Sequence, residues 1–192
     1  MSMAKLKEKL TPRCSRTGAV LYFAVAAVSV LLDQWSKAAT VKNIPLYDTV
    51  PAIPGLFRLT HVRNTGAAWS MLSNNTDLLA IISAVATVGI SLYLLYGLLC
   101  PAARLCLASV IGGAVGNLID RVRLGYVVDM IEVTFINYPV FNVADCFIVV
   151  GGIAFVIVFL FINDKYLIER GLLQITEKPG QGEKEKNDAD QS

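Results

Sequence analysis

Histidine and charged residues are scarce in this chain: it has one histidine in 192 residues, and 17% of its residues are charged. A soluble domain carries about 25% charged residues, so the composition argues against a soluble fold. A single histidine, His61, cannot supply a two-histidine zinc site, and neither H-E-x-x-H nor G-x-S-x-G occurs. None of the four cysteines forms a C-x-x-C pair, which argues against a metal site and a disulfide framework. A net charge of +2 gives no reason to expect a nucleic-acid partner.

Long apolar runs are what the chain has in abundance, since 55% of its residues are hydrophobic. Several runs approach the ~20 residues that a helix needs to cross the hydrocarbon core of a bilayer. We predict a membrane all-α protein with four transmembrane helices. The predicted spans are Gly18 to Ala39, Leu78 to Leu99, Ala102 to Ile119 and Val140 to Ile162. Pro101 indicates a tight connection between the second and third spans.

The distribution of lysine and arginine predicts the orientation of these spans. With both termini in the cytoplasm, eleven of the seventeen basic residues lie in cytoplasmic segments and six lie outside, as the positive-inside rule favours. The chain then divides into a basic cytoplasmic leader at 1–17, a four-span domain at 18–163 and a polar cytoplasmic tail at 164–192. Because its end is almost devoid of apolar residues, the tail is expected to be mostly disordered.

Two segments outside the membrane have the pattern of strands. GLFRLTHVRN, at 55–64, alternates apolar and polar residues, and YVVDMIEVTF, at 126–135, is rich in β-branched and aromatic residues. Together they predict a small extracytoplasmic β-cradle on the bilayer surface.

Polar residues gather near the outer ends of the spans, where burying them requires a reason. In DQWSK, Asp33 and Lys37 stand one helical turn apart and can pair, either as an interfacial ion pair or in contact with a substrate. In RNTGAAWS, Asn64 can set a turn, and Gly66 leaves the backbone uncovered. That segment is either a site for an extended peptide or an ordinary turn.

The third span ends in GNLIDR, which puts Asn117, Asp120 and Arg121 on one helix face. These residues are either a plain helix-end cluster or an Asp–Arg pair, with a nearby amide, that braces a catalytic carboxylate. In FNVADCF, Asn142 and Asp145 stand three residues apart in the first turns of the fourth span.

Asp129 and Asp145 are the pair of acids that best fits a chemical role. Asp129 lies in a predicted strand, and Asp145 precedes a nearly unbroken apolar run, where a lone carboxylate would protonate or seek a partner. Two carboxylates that share a site keep one proton between them. An ionised member can then activate water while the protonated member hydrogen-bonds a carbonyl oxygen, as amide hydrolysis requires.

Two other functions are compatible with these residues. A small proton or cation carrier would use Asp33, Asp120 and Asp145, although we find no clear internal repeat and no charge deep in the second or fourth span. A non-catalytic membrane protein that only binds a partner is the second alternative.

Five segments in order, DQWSK, NTGAAWS, GNLIDR, VVDMIEV and FNVADCF, resemble the motifs of bacterial lipoprotein signal peptidase, also called signal peptidase II or prolipoprotein signal peptidase. The resemblance covers about residues 18–163. It implies an aspartic peptidase of the bacterial inner membrane that acts near the periplasmic face and uses no metal or organic cofactor. Its expected substrates are diacylglyceryl-modified prolipoproteins, which it would cleave just before the lipidated cysteine; the non-catalytic alternative would only bind these lipoproteins. Its other expected partners are membrane lipids and the inhibitor globomycin. The catalytic aspartates of the family fall on Asp129 and Asp145. The residues around them fall on Asp33, Lys37, Asn64, Gly66, Asn117, Asp120, Arg121, Asn142 and Ala144.

Overall fold

The computed structural model describes residues 14–66 and 75–172, and in this part of the chain it has four long apolar helical stretches and a three-stranded sheet. The elements are α1 (Arg16–Asn43), β1 (Thr49–Ile53), β2 (Phe57–Asn64), α2 (Thr76–Tyr96), α3 (Pro101–Leu124), β3 (Val127–Val133), α4 (Val143–Val158), a π-helical turn (Phe159–Asn163) and α5 (Asp164–Glu169). By length and composition, α1, α2, α3 and the stretch Val143–Glu169 are each sufficient to cross a membrane. The predicted fold class is therefore confirmed.

Two helices extend well beyond the spans predicted from hydropathy. Helix α3 continues past Ile119 to Leu124 and stops at Gly125, whose φ of 77° is the left-handed conformation that glycine adopts without steric cost. The fourth span continues through the π-helical turn and α5, so the first residues of the predicted tail are helical up to Glu169. Leader residues 1–13, the segment 67–74 and the tail from 173 lie outside the described residues.

Helix α3 is the centre of the bundle, and α1, α2 and α4 each pack against it. A close approach makes this possible: a Cβ atom at Gly113 would collide with the carbonyl oxygen of Ala144 in α4. The outer faces of the other helices expose apolar side chains such as Leu31, Ile81 and Val150. Exposed apolar faces of this kind suit helices that are surrounded by lipid rather than water.

At the end of the bundle away from the sheet, a buried arginine closes the predicted tight connection between α2 and α3. The guanidinium of Arg104 donates hydrogen bonds to the carbonyl oxygens of Leu94, Gly97 and Leu99, at distances of 2.9–3.2 Å. These carbonyls lie at or just beyond the end of α2, where no further helical turn satisfies them. The cation also complements the negative end of the helix dipole.

The sheet lies at the opposite end of the bundle, where α1 and α3 end and α4 begins. Its order is β1-β2-β3, with both neighbouring pairs antiparallel. Strands β2 and β3 are the two predicted strands, and β1 is an additional edge strand. An isolated bridge between Ile131 and Phe141 ties β3 to the segment that leads into α4. The sheet therefore holds β3 beside the start of α4.

Candidate active site

Asp129 lies in the middle of β3 and is 2% exposed. The pairing of β2 with β3 places Val62 opposite Asp129 and brings Asn64, at the end of β2, within reach of its side chain. Asn64 Nδ2 donates a hydrogen bond of 2.8 Å to Asp129 Oδ2, and Asn64 Oδ1 accepts one of 2.9 Å from the backbone N–H of Gly66. The turn predicted at Asn64 therefore also aims its amide at a carboxylate.

Asp145 lies in the first turn of α4, and Asn142 is the N-cap of that helix. The two residues form a capping box: the backbone N–H of Asp145 donates to Asn142 Oδ1 at 3.0 Å, and the backbone N–H of Asn142 donates to Asp145 Oδ2 at 3.1 Å. A carboxylate at this position also interacts favourably with the positive end of the helix dipole.

Two asparagines connect the carboxylates of Asp129 and Asp145. Asn142 Nδ2 donates to Asp129 Oδ1 at 2.6 Å and to Asn117 Oδ1 at 3.1 Å. Asn117 Nδ2 in turn donates to Asp145 Oδ1 at 2.8 Å. Asn142 therefore holds Asp129, Asn117 holds Asp145, and the two asparagines contact each other. The two carboxyl groups face a common cavity.

That cavity has a volume of about 450 Å³ and is lined by residues of β2, β3, α3, α4 and the segment before α4. Its lining comprises Val62, Arg63, Asn64, Thr65, Gly66, Asn117, Arg121, Val127, Asp129, Tyr138, Pro139, Val140, Phe141, Asn142, Asp145 and Val149. Polar groups converge around the two acids, and apolar groups line the rest. The cavity suits a ligand that presents a polar group to the acids and apolar groups to the remaining walls.

Behind the cavity, Lys37 forms a buried charge cluster with two further acids. Its Nζ lies 2.9 Å from Asp33 Oδ2, 3.0 Å from Asp120 Oδ2 and 2.8 Å from Asn117 Oδ1. Asp33, Lys37 and Asp120 are each at most 3% exposed. The predicted pairing of Asp33 with Lys37 is confirmed. Because Lys37 is a donor only, its contact with Asn117 Oδ1 fixes the amide so that Nδ2 faces Asp145.

The two acids of this cluster also hold the backbone next to Asp129 and Asp145. Asp33 Oδ1 accepts a hydrogen bond of 2.9 Å from the backbone N–H of Ala144. Asp120 Oδ2 accepts one of 3.1 Å from the backbone N–H of Val128. Ala144 immediately precedes Asp145, and Val128 immediately precedes Asp129, so each acid anchors one of the cavity carboxylates through its peptide chain.

The Asp120–Arg121 pair, one of the two alternatives for GNLIDR, is not formed. In the described part of the chain, no ion pair joins them; Asp120 pairs with Lys37 instead, and Arg121 lines the cavity. The physical reason is that neighbouring helical residues point about 100° apart, so that Asp120 faces α1 while Arg121 faces the two cavity acids. The three residues predicted to share a face therefore divide between the charge cluster and the cavity.

Burial raises the pKa of the Asp129 carboxyl from its ordinary value to about 6. The hydrogen bonds from Asn64 and Asn142 oppose this shift, because they stabilise the carboxylate, and the negative charge of Asp145 adds to it. Asp129 is thus a carboxyl group whose proton is exchanged near neutral pH, as a general acid or base requires.

No group of three or more His, Cys, Asp or Glu side chains suited to a metal ion is found within residues 14–66 and 75–172. His61 lies in β2, where its Nδ1 is 2.9 Å from the carbonyl oxygen of Ile44. That contact gives the histidine a role in joining the end of α1 to the sheet.

A polar residue of the charge cluster, Gln34, was not predicted from the sequence. Gln34 Nε2 lies 2.9 Å from Asp120 Oδ1, 3.2 Å from Asp33 Oδ2 and 3.2 Å from the carbonyl oxygen of Gly116. DQWSK shows that Gln34 is adjacent to Asp33, but the contact with Asp120 depends on how α1 crosses α3. Among the predicted residues in RNTGAAWS, those from position 67 onward lie outside the described part of the chain.

The fold and the site together define a multi-pass membrane protein with two carboxylates that face one cavity at the sheet end of its helix bundle. The chain belongs to the signal peptidase II family: the model described as "Signal peptidase (SPase) II" matches residues 25–161. Membership of this family makes the chain a membrane peptidase, as the sequence predicted.

Individual relatives agree with the family model. The chain is 47% identical over 151 residues to the lipoprotein signal peptidase of Enterococcus faecalis, covering 76% of this chain and 91% of the relative. It is 45% identical over 141 residues to that of Brevibacillus brevis, covering 72% and 95%. A solved structure described as a bacterial membrane enzyme, obtained by the in meso method at 1.9 Å resolution, has a TM-score of 0.66 and 28% identity, covering 80% of this chain and 99% of its own.

Proposed function

We propose that this chain is an aspartic endopeptidase that removes the signal peptide from diacylglyceryl-modified prolipoproteins, cleaving just before the lipidated cysteine. The observation that carries the proposal is the pair Asp129 and Asp145 in a single cavity, bridged by Asn117 and Asn142. The substrate class follows from relatives that are 45–47% identical and are named lipoprotein signal peptidases.

The reaction needs one proton shared between the two acids. The ionised carboxylate takes a proton from water as the water oxygen attacks the scissile carbonyl carbon, and the protonated carboxyl hydrogen-bonds the carbonyl oxygen. When the tetrahedral intermediate collapses, the C–N bond breaks and the departing amine of the cysteine receives a proton from the dyad. The position of the proton belongs to the pair, because two interacting carboxyl groups titrate together.

The remaining residues of the site hold this dyad or bind the substrate, and do not themselves react. Asn64, Asn117 and Asn142 donate to the carboxylates. Arg121, in the cavity wall, supplies positive charge for the carbonyl oxygen or backbone of the substrate. The uncovered backbone at Gly66 is positioned to pair with an extended peptide.

We infer that the protein resides in the bacterial inner membrane, with both termini in the cytoplasm and the dyad near the periplasmic face. The bias of basic residues supports this orientation. In this arrangement, the signal helix enters sideways from the lipid, while the acyl chains of the substrate stay in the bilayer. The cyclic peptide globomycin then competes for the same cavity. Membership of a peptidase family favours this function over a carrier or a non-catalytic binder.

The test is processing of a purified lipidated precursor by the protein in detergent micelles or liposomes. Asp129→Asn and Asp145→Asn should each lower kcat by about 10²–10⁴-fold, because general acid–base catalysis by a positioned group is worth that much. Asp48→Asn is the matched control, since Asp48 is exposed, lies outside the cavity and accepts a backbone N–H that asparagine also accepts.

Measuring precursor binding beside processing distinguishes an enzyme from a non-catalytic binder, because only an enzyme loses processing while it still binds the precursor. Both dyad variants should insert normally and retain precursor binding that globomycin displaces. Unchanged processing by both variants would exclude the dyad mechanism, and processing of an unlipidated precursor at the same rate would exclude the proposed specificity.

A further inference from the structure

In the described part of the chain, the side-chain nitrogen of Gln34, Nε2, contacts three acceptors. It faces a carboxylate oxygen of Asp120 at 2.9 Å, a carboxylate oxygen of Asp33 at 3.2 Å and the carbonyl oxygen of Gly116 at 3.2 Å. Because none of these groups donates while the acids are ionised, the nitrogen of the amide must face them. The two N–H groups of Gln34 therefore link two acids that belong to different helices.

Asp33 and Asp120 need such a link because they share a single ammonium group. Lys37 Nζ contacts Oδ2 of both acids, at 2.9 Å and 3.0 Å, and its remaining donor contact is with Asn117. Asp120 Oδ1 receives no bond from Lys37 and is the atom that Gln34 contacts. A neutral amide adds donors to this buried site without adding the desolvation cost of a second cation.

The backbone of α3 is shaped for this contact. A Cβ atom at Gly116 would lie 2.5 Å from Asp33 Oδ2, so any larger residue would displace the acid. The missing side chain leaves the Gly116 carbonyl accessible to Gln34 as well as leaving room for Asp33. Gln34 therefore lies between α1 and α3 at the charge cluster.

We propose that Gln34 is a positioning residue for the catalytic dyad, and this inference rests on the proposed function. Gln34 holds Asp33 and Asp120 in the orientations in which they accept the N–H groups of Ala144 and Val128. Those peptide groups immediately precede Asp145 and Asp129. Gln34 itself does not line the cavity, so it acts on the dyad only through the two acids.

The test compares two substitutions that preserve the size of the side chain. Gln34→Met removes both donors and should lower kcat for the lipidated precursor by about 10–100-fold, as expected for lost hydrogen bonds to charged groups. KM should stay within about twofold of wild type, because an interaction that only positions catalytic groups does not bind the substrate. Ser36→Ala is the matched control in the same turn, since the one hydrogen bond of the Ser36 hydroxyl within residues 14–66 and 75–172 is to the carbonyl oxygen of Asp33 in its own helix.

Gln34→Glu adds a readout that a merely structural role would not change. At neutral pH, the introduced carboxylate would face Asp33 on α1 and Asp120 on α3, with Lys37 as the nearby cation and Asp145 of α4 beyond Asn117. Protonation of the introduced carboxyl as the pH falls restores one donor. As the pH falls from 8 to 5.5, the kcat of Gln34→Glu relative to that of wild type should therefore rise about 10-fold, because a regained hydrogen bond to a charged group is worth about that much.

The outcomes separate this inference from the proposed function. If Asp129→Asn abolishes processing while Gln34→Met retains wild-type kcat, the role of Gln34 is refuted and the dyad stands. If Asp129→Asn processes normally, both fail together. Should Gln34→Met not accumulate in the membrane, the pH dependence of Gln34→Glu decides: a ratio to wild type that is constant with pH overturns the proposal.

Discussion

Asn142 combines two tasks that substitution can separate. Its Oδ1 caps α4 by accepting the N–H of Asp145, and its Nδ2 donates to Asp129 at 2.6 Å and to Asn117 at 3.1 Å. Asn142→Ala removes both tasks. Asn142→Ser keeps an oxygen that is suited to an N-cap but loses the amide nitrogen that reaches Asp129.

The expected magnitudes follow from the bonds that each variant loses. The bond to the Asp129 carboxylate is of the class worth about 1.5–3 kcal/mol, and the N-cap is worth about 1 kcal/mol. At 1.4 kcal/mol for each factor of ten, both variants should lose about 10–100-fold in kcat. Asn142→Ala should also be less stable than Asn142→Ser by about 1 kcal/mol.

Two measurements on the same detergent-solubilised protein test this account. Precursor processing under saturating substrate gives kcat, and thermal unfolding gives the relative stability of the two variants. Wild-type kcat in Asn142→Ser would refute the claim that the amide bridge orders the dyad. Equal stability of Asn142→Ser and Asn142→Ala would refute the capping contribution.

Two further predictions follow from the polar contacts. Asn64→Ala removes a hydrogen bond that lowers the pKa of Asp129, so the pKa of Asp129 should rise above about 6. The limb of the pH–kcat profile near pH 6 should then move to higher pH. A limb that stays in place or moves to lower pH would contradict this. Lys37→Met leaves Asp33 and Asp120 buried without their cation, which should lower the free energy of unfolding by about 3–5 kcal/mol. The loss should appear as a lowered Tm. An unchanged Tm would mean that charge does not hold the cluster together.

Local patterns predicted the elements that carry the site, because these depend on residues near one another in the sequence. Hydropathy found four spans, and alternation with β-branching found β2 and β3. Strand β1, at Thr49–Ile53, was missed because its sequence TVPAI is short and contains a proline, which is tolerated on an edge strand. The end of α3 was missed because Asp120–Leu124 is too polar for a hydropathy window, although the helix continues.

Long-range contacts were the part that spacing could not provide. The i, i+4 rule gave the pair Asp33–Lys37, which lies within one helix. The same kind of reasoning suggested an Asp120–Arg121 pair, whereas the cation that reaches Asp120 comes from α1. Gln34 was missed for the same reason, since its partners Gly116 and Asp120 become visible only when α1 and α3 are packed together.

The partners of Lys37 and Asp33 become available at different times during synthesis. Asp33 is one turn away on the same helix, so this ion pair exists as soon as the first helix has formed. Asn117, which Lys37 also contacts, lies 80 residues after Lys37 in the chain. The peptide N–H of Ala144, which donates to Asp33, lies 111 residues after Asp33. The first helix therefore carries its own counter-ion while the ribosome is still making the helices that will surround it. Local neutralisation lowers the cost of inserting that helix alone.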